Sequence, residues 1–119
     1  MVAADPAQLV GAGGALGALL RHLVGELVDV DRFPVGTLTV NVVGSFVLAL
    51  VTFLGSGSDV ALFVGTGACG SFTTFSSFSF QTVRLWESGD KFRAGLNAGL
   101  NLAGALLGVG LAWAVASLV

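Results

Sequence analysis

Four long apolar segments, separated by short polar turns, constrain this chain more than any other feature. They cover residues 7–28, 33–54, 60–85 and 92–118 of the 119-residue sequence. A helix needs about 20 apolar residues to cross a bilayer, and only helices and closed barrels satisfy their backbone polar groups in lipid. The segments therefore predict an all-α integral membrane protein, in which residues 1–119 form a single domain of four transmembrane helices.

The composition excludes most soluble classes of protein. Hydrophobic residues make up 55% of the chain and charged residues only 10%, whereas a soluble domain carries roughly a quarter charged residues. Disordered chains are polar and charge-rich, and a net charge of −2 leaves no basic patch for nucleic acid. A single cysteine excludes a disulfide framework.

The third segment is unlike an ordinary lipid-facing helix. Residues 65–79 contain three glycines and a dense run of serine and threonine, with few aliphatic side chains. Irregular backbone at membrane depth is tolerated where it is buried in protein or lines a wet cavity, and broken helices of this kind bind ions. We predict a helix break at residues 70–73; the alternative is an unbroken Gly/Ser helix in a packed interface.

Glycines recur at four-residue spacing in the first and fourth segments. The pairs are Gly13 and Gly17, Gly95 and Gly99, and Gly104 and Gly108. Rows of small residues let helix backbones approach closely in membranes. These pairs predict a tight bundle or a tight oligomer.

Phe72, Phe75 and Phe78 recur every three residues and share one helix face. Core packing or lipid contact is the usual explanation of such a stripe. Because the neighbouring side chains are hydroxyls and aromatic rings have positive edges, the stripe also suits contact with an anion.

Several polar side chains lie within the apolar segments. Asn41 is in the middle of the second segment, and Asn97 and Asn101 are one helical turn apart in the fourth. Such amides either bond neighbouring helices together or face a polar pathway. Arg21 either marks the mouth of a pathway or extends to the headgroups.

Residues 36–46, with Asn41 and Gly44, and residues 70–79 together carry a resemblance to a known family. The run Thr-Thr-Phe-Ser-Ser-Phe-Ser at 73–79 is the most specific part. The chain resembles the Fluc/CrcB fluoride channel family over nearly its whole length.

This resemblance implies an antiparallel dimer of four-helix subunits with two fluoride pathways. It also implies a structural Na⁺ at the dimer centre, held by the backbone carbonyls of Gly70 and Thr73. Arg21 would lie near an aqueous vestibule. The residues that would line the fluoride path are Asn41, Phe75, Ser76, Ser77, Phe78, Ser79 and Asn101.

The sequence departs from the family pattern at particular positions. Ser71 replaces a second glycine after Gly70, and Gln81 stands where the family usually has glutamate, so no carboxylate role carries over. Asn97 and Asn101 occupy fourth-helix positions where the family often has tyrosine and serine.

The expected function is passive export of fluoride, which lowers its cytosolic concentration. The sequence has no ATP-binding motif, no acidic residue deep in a span for proton coupling, and no nucleophile–base pair for an enzyme. The alternatives are a small multidrug-type proton-coupled antiporter, which needs a carboxylate in mid-span, and a non-conducting partner subunit of a heterodimeric channel.

The basic residues predict the orientation in the cytoplasmic membrane. With both termini on one face, all five Lys and Arg residues fall on the other, and the basic face is usually cytoplasmic. We therefore predict that both termini lie outside. So strong a bias suggests an inverted paralogue as the second subunit, with a second copy of this chain as the alternative.

Overall fold

The computed structural model describes residues 4–28 and 32–119, and this part of the chain is helical with no strand. The prediction of an all-α protein is confirmed. The helices, in chain order, are α1 (Pro6–Leu27), α2 (Val35–Phe53), α3 (Ser58–Val60), a π-helix (Ala61–Cys69), α4 (Gly70–Phe72), α5 (Phe75–Glu87) and α6 (Lys91–Ser117).

Local sequence signals set the helix ends. The Asp5 carboxylate accepts a hydrogen bond from the Ala7 N–H at 2.8 Å, and Pro6 occupies the first turn of α1, where its missing N–H costs nothing. Asp90 caps α6 by accepting from the Arg93 N–H at 3.2 Å. The turn before α6 needs Gly89, whose φ of 91° is unfavourable for other residues.

The third segment is interrupted as expected, but at the end of the predicted window. α3, the π-helix and α4 follow one another without a gap up to Phe72. Thr73 (ψ 162°) and Thr74 (φ −152°, ψ 120°) are extended, and α5 begins at Phe75. Gly70 itself is helical, with φ −60° and ψ −36°, so the glycine does not form the break.

The threonine hydroxyls stabilise both ends of this break. The Thr73 hydroxyl donates to the Cys69 carbonyl at 2.9 Å and so closes the preceding helix. The Thr74 hydroxyl accepts from the Ser77 N–H at 3.1 Å and so caps α5. Threonine is a good N-cap residue, which explains why the new helix starts after Thr74.

Glycines bring α1 and the π-helix into close contact. A Cβ on Gly13 would overlap the Phe63 carbonyl, and one on Gly17 would overlap the Ala68 carbonyl. Gly67 lies opposite, with only 3.0 Å between its ideal Cβ position and the Gly13 Cα. The predicted packing role of Gly13 and Gly17 is therefore confirmed.

The glycines of α6 divide into two kinds. Gly104 and Gly108 face α2, where the ideal Cβ of Gly108 lies 3.1 Å from the Val42 carbonyl oxygen. Gly95 and Gly99 have no described atom within 4 Å of their ideal Cβ positions. These two glycines therefore do not pack helices together within the described part of the chain.

Three helices are long and apolar enough to cross a membrane: α1, α2 and α6. The break divides the third segment into shorter pieces. Arg32 and Phe33, at the end of the first connection, share a pocket with Arg84 and Ser88 near the end of α5. The first and third connections thus approach one end of the bundle.

Candidate functional site

The helix break is held by the side chain of Asn41 in α2. Asn41 Oδ1 accepts from the Thr74 N–H at 2.8 Å, and Asn41 Nδ2 donates to the Thr74 carbonyl at 3.0 Å. In a continuous α-helix the Thr74 N–H would bond the Gly70 carbonyl. Asn41 therefore replaces the backbone bond that the break removes.

Further polar side chains continue from Asn41 through α6 to α5, and we call Asn41, Asn101, Asn97 and Thr82 the amide ladder. Asn41 Nδ2 donates to Asn101 Oδ1 at 3.0 Å, and Asn101 Nδ2 donates to Asn97 Oδ1 at 3.0 Å. Asn97 Nδ2 donates to the Thr82 hydroxyl at 2.9 Å. Asn97 is fully buried at 0% exposure. The three asparagines therefore bond neighbouring helices together, which is one of the two roles that the sequence allowed for them.

A groove of about 610 Å³ lies beside the break, and we call it the main groove. It brings together a majority of the residues that the resemblance assigned to an ion site. The Phe75 and Phe78 rings line it with their centroids 5.7 Å apart and their planes at 51°. Phe75 is 79% exposed, so its ring has little contact with its own chain. The other predicted residues that line the main groove are Asn41, Gly70, Thr73 and Asn101.

The three predicted serines have other surroundings, and none of them lines the main groove as the structure describes it. Ser77 accepts a hydrogen bond from Arg21 Nη2 at 2.9 Å. The Ser76 hydroxyl lies 3.2 Å from the Thr74 hydroxyl. The Ser79 hydroxyl donates to the Phe75 carbonyl at 2.9 Å, which leaves it without a proton for another acceptor.

Arg21 lines a smaller cavity of about 260 Å³, which we call the inner cavity. Its polar lining includes Thr37, Thr74 and Gln81. Thr74 contributes to both this cavity and the main groove, so the break separates the two. Gln81 Oε1 is buried and has no hydrogen-bond partner among the described residues.

The carbonyls near the break are the available ligands for a cation. Thr73 lies outside any helix, and its carbonyl accepts no hydrogen bond in the described part of the chain. The Gly70 carbonyl has lost its usual α-helical donor, because the Thr74 N–H bonds Asn41. Among the described residues no three His, Cys, Asp or Glu side chains cluster as metal ligands. Two backbone oxygens at the break are thus left without their ordinary helical donors.

Sequence reasoning missed the contribution of Thr82 and treated Gln81 only as a departure from the family pattern. Thr82 lies four residues after Phe78 and so projects from the same helix face. A buried amide such as Asn97 needs an acceptor, and this requirement is the signal that could have identified Thr82.

Comparisons with known proteins agree on one family. The family model described as "CrcB-like protein, Camphor Resistance (CrcB)" matches residues 8–113. A Haloarcula marismortui protein named fluoride-specific ion channel FluC 2 is 61% identical over 119 residues, which is the full length of both chains. Halobacterium salinarum FluC 1 is 54% identical over 110 residues, 92% of each chain. Methanosarcina barkeri FluC 1 is 45% identical over 111 residues, covering 92% of this chain and 96% of the other.

Proposed function

The chain belongs to the CrcB family, and we propose that it is a fluoride-selective channel through which fluoride leaves the cell passively. The observation that carries this proposal is the 61% identity, over the full length of both chains, to a protein named a fluoride-specific ion channel. The activity lowers the cytosolic concentration of fluoride, and the protein works in the cytoplasmic membrane.

The main groove has the chemistry that a dehydrated fluoride ion needs. A small ion pays a large desolvation cost on leaving water, so the path must supply fixed hydrogen-bond donors and positive dipoles. The ring edges of Phe75 and Phe78 carry such dipoles. Ser77 lies outside the main groove, where its oxygen accepts from Arg21, so its own hydroxyl proton is available for an anion at another point of the path.

Asn41 also contributes to the proposed path, but its donors are in use. Both N–H groups of its amide are bonded, one to the Thr74 carbonyl and one to Asn101 Oδ1. Passage of fluoride past Asn41 therefore requires one of these bonds to open. The bond to Asn101 is the one that opens, because the pair of bonds to Thr74 holds the break together.

Passive flow fits the placement of the acidic residues better than proton-coupled exchange. Glu26 lies in the last turn of α1, and Glu87 is the last residue of α5. A small multidrug antiporter needs a carboxylate in mid-span that binds a proton and the drug in turn. Neither glutamate has that position. A negative cell interior then drives the anion outward.

In this proposal, a structural Na⁺ binds at the helix break. The Gly70 and Thr73 carbonyls would hold it, since both residues line the main groove and neither carbonyl has its ordinary helical donor. When bound, the ion supplies positive charge that stabilises the unwound backbone and offsets anion repulsion. Gly70 is exposed, with open space around its ideal Cβ position, so a second subunit can contribute the remaining ligands.

The second subunit lies antiparallel to the first in this proposal. All the basic residues lie on the half of the molecule away from the termini; they are Arg21, Arg32, Arg84, Lys91 and Arg93. Both termini are therefore outside. Because so biased a chain inserts in one orientation, the partner is an inverted paralogue, and a second copy is the alternative. The numbered names of the haloarchaeal relatives accord with more than one such gene.

Fluoride efflux from liposomes tests the proposed function. We expect liposomes that contain the channel to release fluoride, but not chloride, when a K⁺ ionophore removes the opposing voltage. Efflux that requires a co-reconstituted paralogue would support the inverted paralogue as the second subunit, whereas efflux from this chain alone would favour a second copy. Drug-dependent proton movement without fluoride efflux would contradict the channel and favour the antiporter.

A further inference from the structure

A third pocket, of about 490 Å³, lies where the first and third connections approach each other, and we call it the interfacial pocket. Two arginines, Arg32 and Arg84, line it together with Ser88. Its apolar lining comprises Phe33, Pro34, Phe80 and Leu85. The pocket therefore combines positive charge with an aromatic and aliphatic wall.

The charge of Arg84 is available in this pocket. Its guanidinium lies 5.8 Å from the centroid of the Phe80 ring, in a cation–π contact that orients it without neutralising it. No carboxylate lines the interfacial pocket as far as residues 4–28 and 32–119 show. Asp31 precedes Arg32 in the sequence and lies outside the described residues, so Arg84 carries most of the argument.

Arg93 lies near the same connection, but unlike Arg84 its charge is paired with a carboxylate. Its guanidinium pairs with the Asp90 carboxylate at 2.7 Å. The hydrogen bond from the Arg93 side chain, together with one from its backbone N–H, holds the pKa of Asp90 below its usual range. Arg93 is thus already paired and does not line the interfacial pocket.

The surroundings place this pocket at the depth of lipid headgroups. Trp86 is 55% exposed on the last turn of α5, and the Lys91 ammonium lies 4.8 Å from its ring centroid. Exposed tryptophan next to lysine at a helix end is typical of the membrane–water interface. Phe80 is 63% exposed, so the apolar wall continues toward the bilayer interior.

We propose that the interfacial pocket binds an anionic phospholipid whose headgroup carries hydroxyl groups. The phosphate pairs with Arg84 and Arg32, because guanidinium binds phosphate oxygens through parallel hydrogen bonds. A headgroup hydroxyl donates to the Ser88 oxygen, which lines the pocket and whose own proton is donated to the Leu85 carbonyl. The first part of an acyl chain packs against Phe80. Basic pockets between membrane helices bind anionic headgroups in this way.

Native mass spectrometry of the channel purified in detergent tests this proposal, which does not depend on fluoride conduction. The probes are dioleoyl phosphatidylglycerol, the phosphatidylcholine with the same chains, and inorganic phosphate. We expect the wild-type channel to bind phosphatidylglycerol more tightly than phosphatidylcholine. Arg84→Gln should weaken phosphatidylglycerol binding by about fivefold, which is the usual contribution of one basic residue near anionic lipid. The Arg32→Gln, Arg84→Gln double variant should weaken it by roughly 30-fold.

Matched variants distinguish this pocket from general attraction of lipid to basic residues. Arg93→Gln also removes one positive charge and should leave phosphatidylglycerol binding unchanged, whereas Arg84→Lys should retain part of it. Equal losses in Arg84→Gln and Arg93→Gln would overturn the proposal, as would equal binding of the two lipids by the wild-type channel. Competition by millimolar inorganic phosphate would assign the site to a free anion and would equally overturn the lipid assignment.

Discussion

At the scale of single residues, the three asparagines within the bundle bond to one another, to Thr82 and to the backbone of Thr74 and Asn97. Asn41 makes three such bonds and Asn101 Nδ2 makes two. Polar groups in lipid find partners because an unpaired donor or acceptor is costly there. The amide ladder therefore ties α2, α5 and α6 together from the break to the middle of α5.

Thr82→Val tests the end of this ladder. The valine removes the acceptor of the Asn97 amide and leaves a buried N–H unpaired, at a cost of about 1–3 kcal/mol. We expect a lower melting temperature in detergent. Thr52→Val is the matched control, because the Thr52 hydroxyl is exposed and bonds only the Leu48 carbonyl of its own helix. Equal destabilisation by both substitutions would contradict a specific role for the ladder.

Phe75→Ile tests the proposed contact between fluoride and a ring edge. The Phe75 side chain is mostly exposed, so its replacement should leave the fold intact while the positive ring edge is lost. If that contact contributes about 1.4 kcal/mol in the rate-limiting step, fluoride efflux falls about tenfold. The matched control is Phe80→Ile, an exposed ring of the same helix that does not line the main groove. Unchanged efflux in Phe75→Ile would remove the ring from the path.

At the scale of helices, the sequence predicted four apolar segments and an interruption in the third, and it missed the exact residues of that interruption. Glycine weakens a helix, which made Gly70 the expected start of the break. In the structure the hydroxyls of Thr73 and Thr74 and the Asn41 amide determine the position. The last of these contacts joins residues far apart in the chain, so local propensity could not reveal it. No local sequence pattern predicted the π-helix Ala61–Cys69 either.

Gly17→Ala tests the close contact between α1 and the π-helix. The added methyl group would overlap the Ala68 carbonyl and the Ser71 hydroxyl, and relief of that overlap requires the two helices to separate. Overpacking of this kind costs about 1–3 kcal/mol, measurable as a lower melting temperature. Gly11→Ala in the same helix meets no atom within 4 Å and should be neutral or slightly stabilising. A neutral Gly17→Ala would show that the helices do not pack as the structure has them.

At the scale of the whole molecule, the proposed ion site is incomplete in one chain. Phe75 and Gly70 line the main groove yet are exposed, and Gly95 and Gly99 have open space around them. The motif at residues 73–79 pointed to Thr73, Phe75 and Phe78, which do line the main groove, because they are close together in the sequence. It could not assign the surroundings of Ser76, Ser77 and Ser79, since those depend on how α5 is rotated against α1 and α6.

Gly70→Val separates assembly from folding, because nothing in the described part of the chain lies within 4 Å of the ideal Cβ position of this glycine. Its backbone is helical, a conformation that valine adopts readily. We therefore expect the variant to insert and fold with a stability within about 1 kcal/mol of wild type. If a second subunit packs against Gly70 to complete the proposed Na⁺ site, the branched side chain blocks that approach. Size-exclusion chromatography with light scattering should then show loss of the dimer, and fluoride efflux should disappear with it.

Gly11→Val, which adds the same side chain at another open helical position, should keep both the dimer and the efflux. A normal dimer of Gly70→Val would place the subunit contact elsewhere and leave the Gly70 carbonyl without its proposed role.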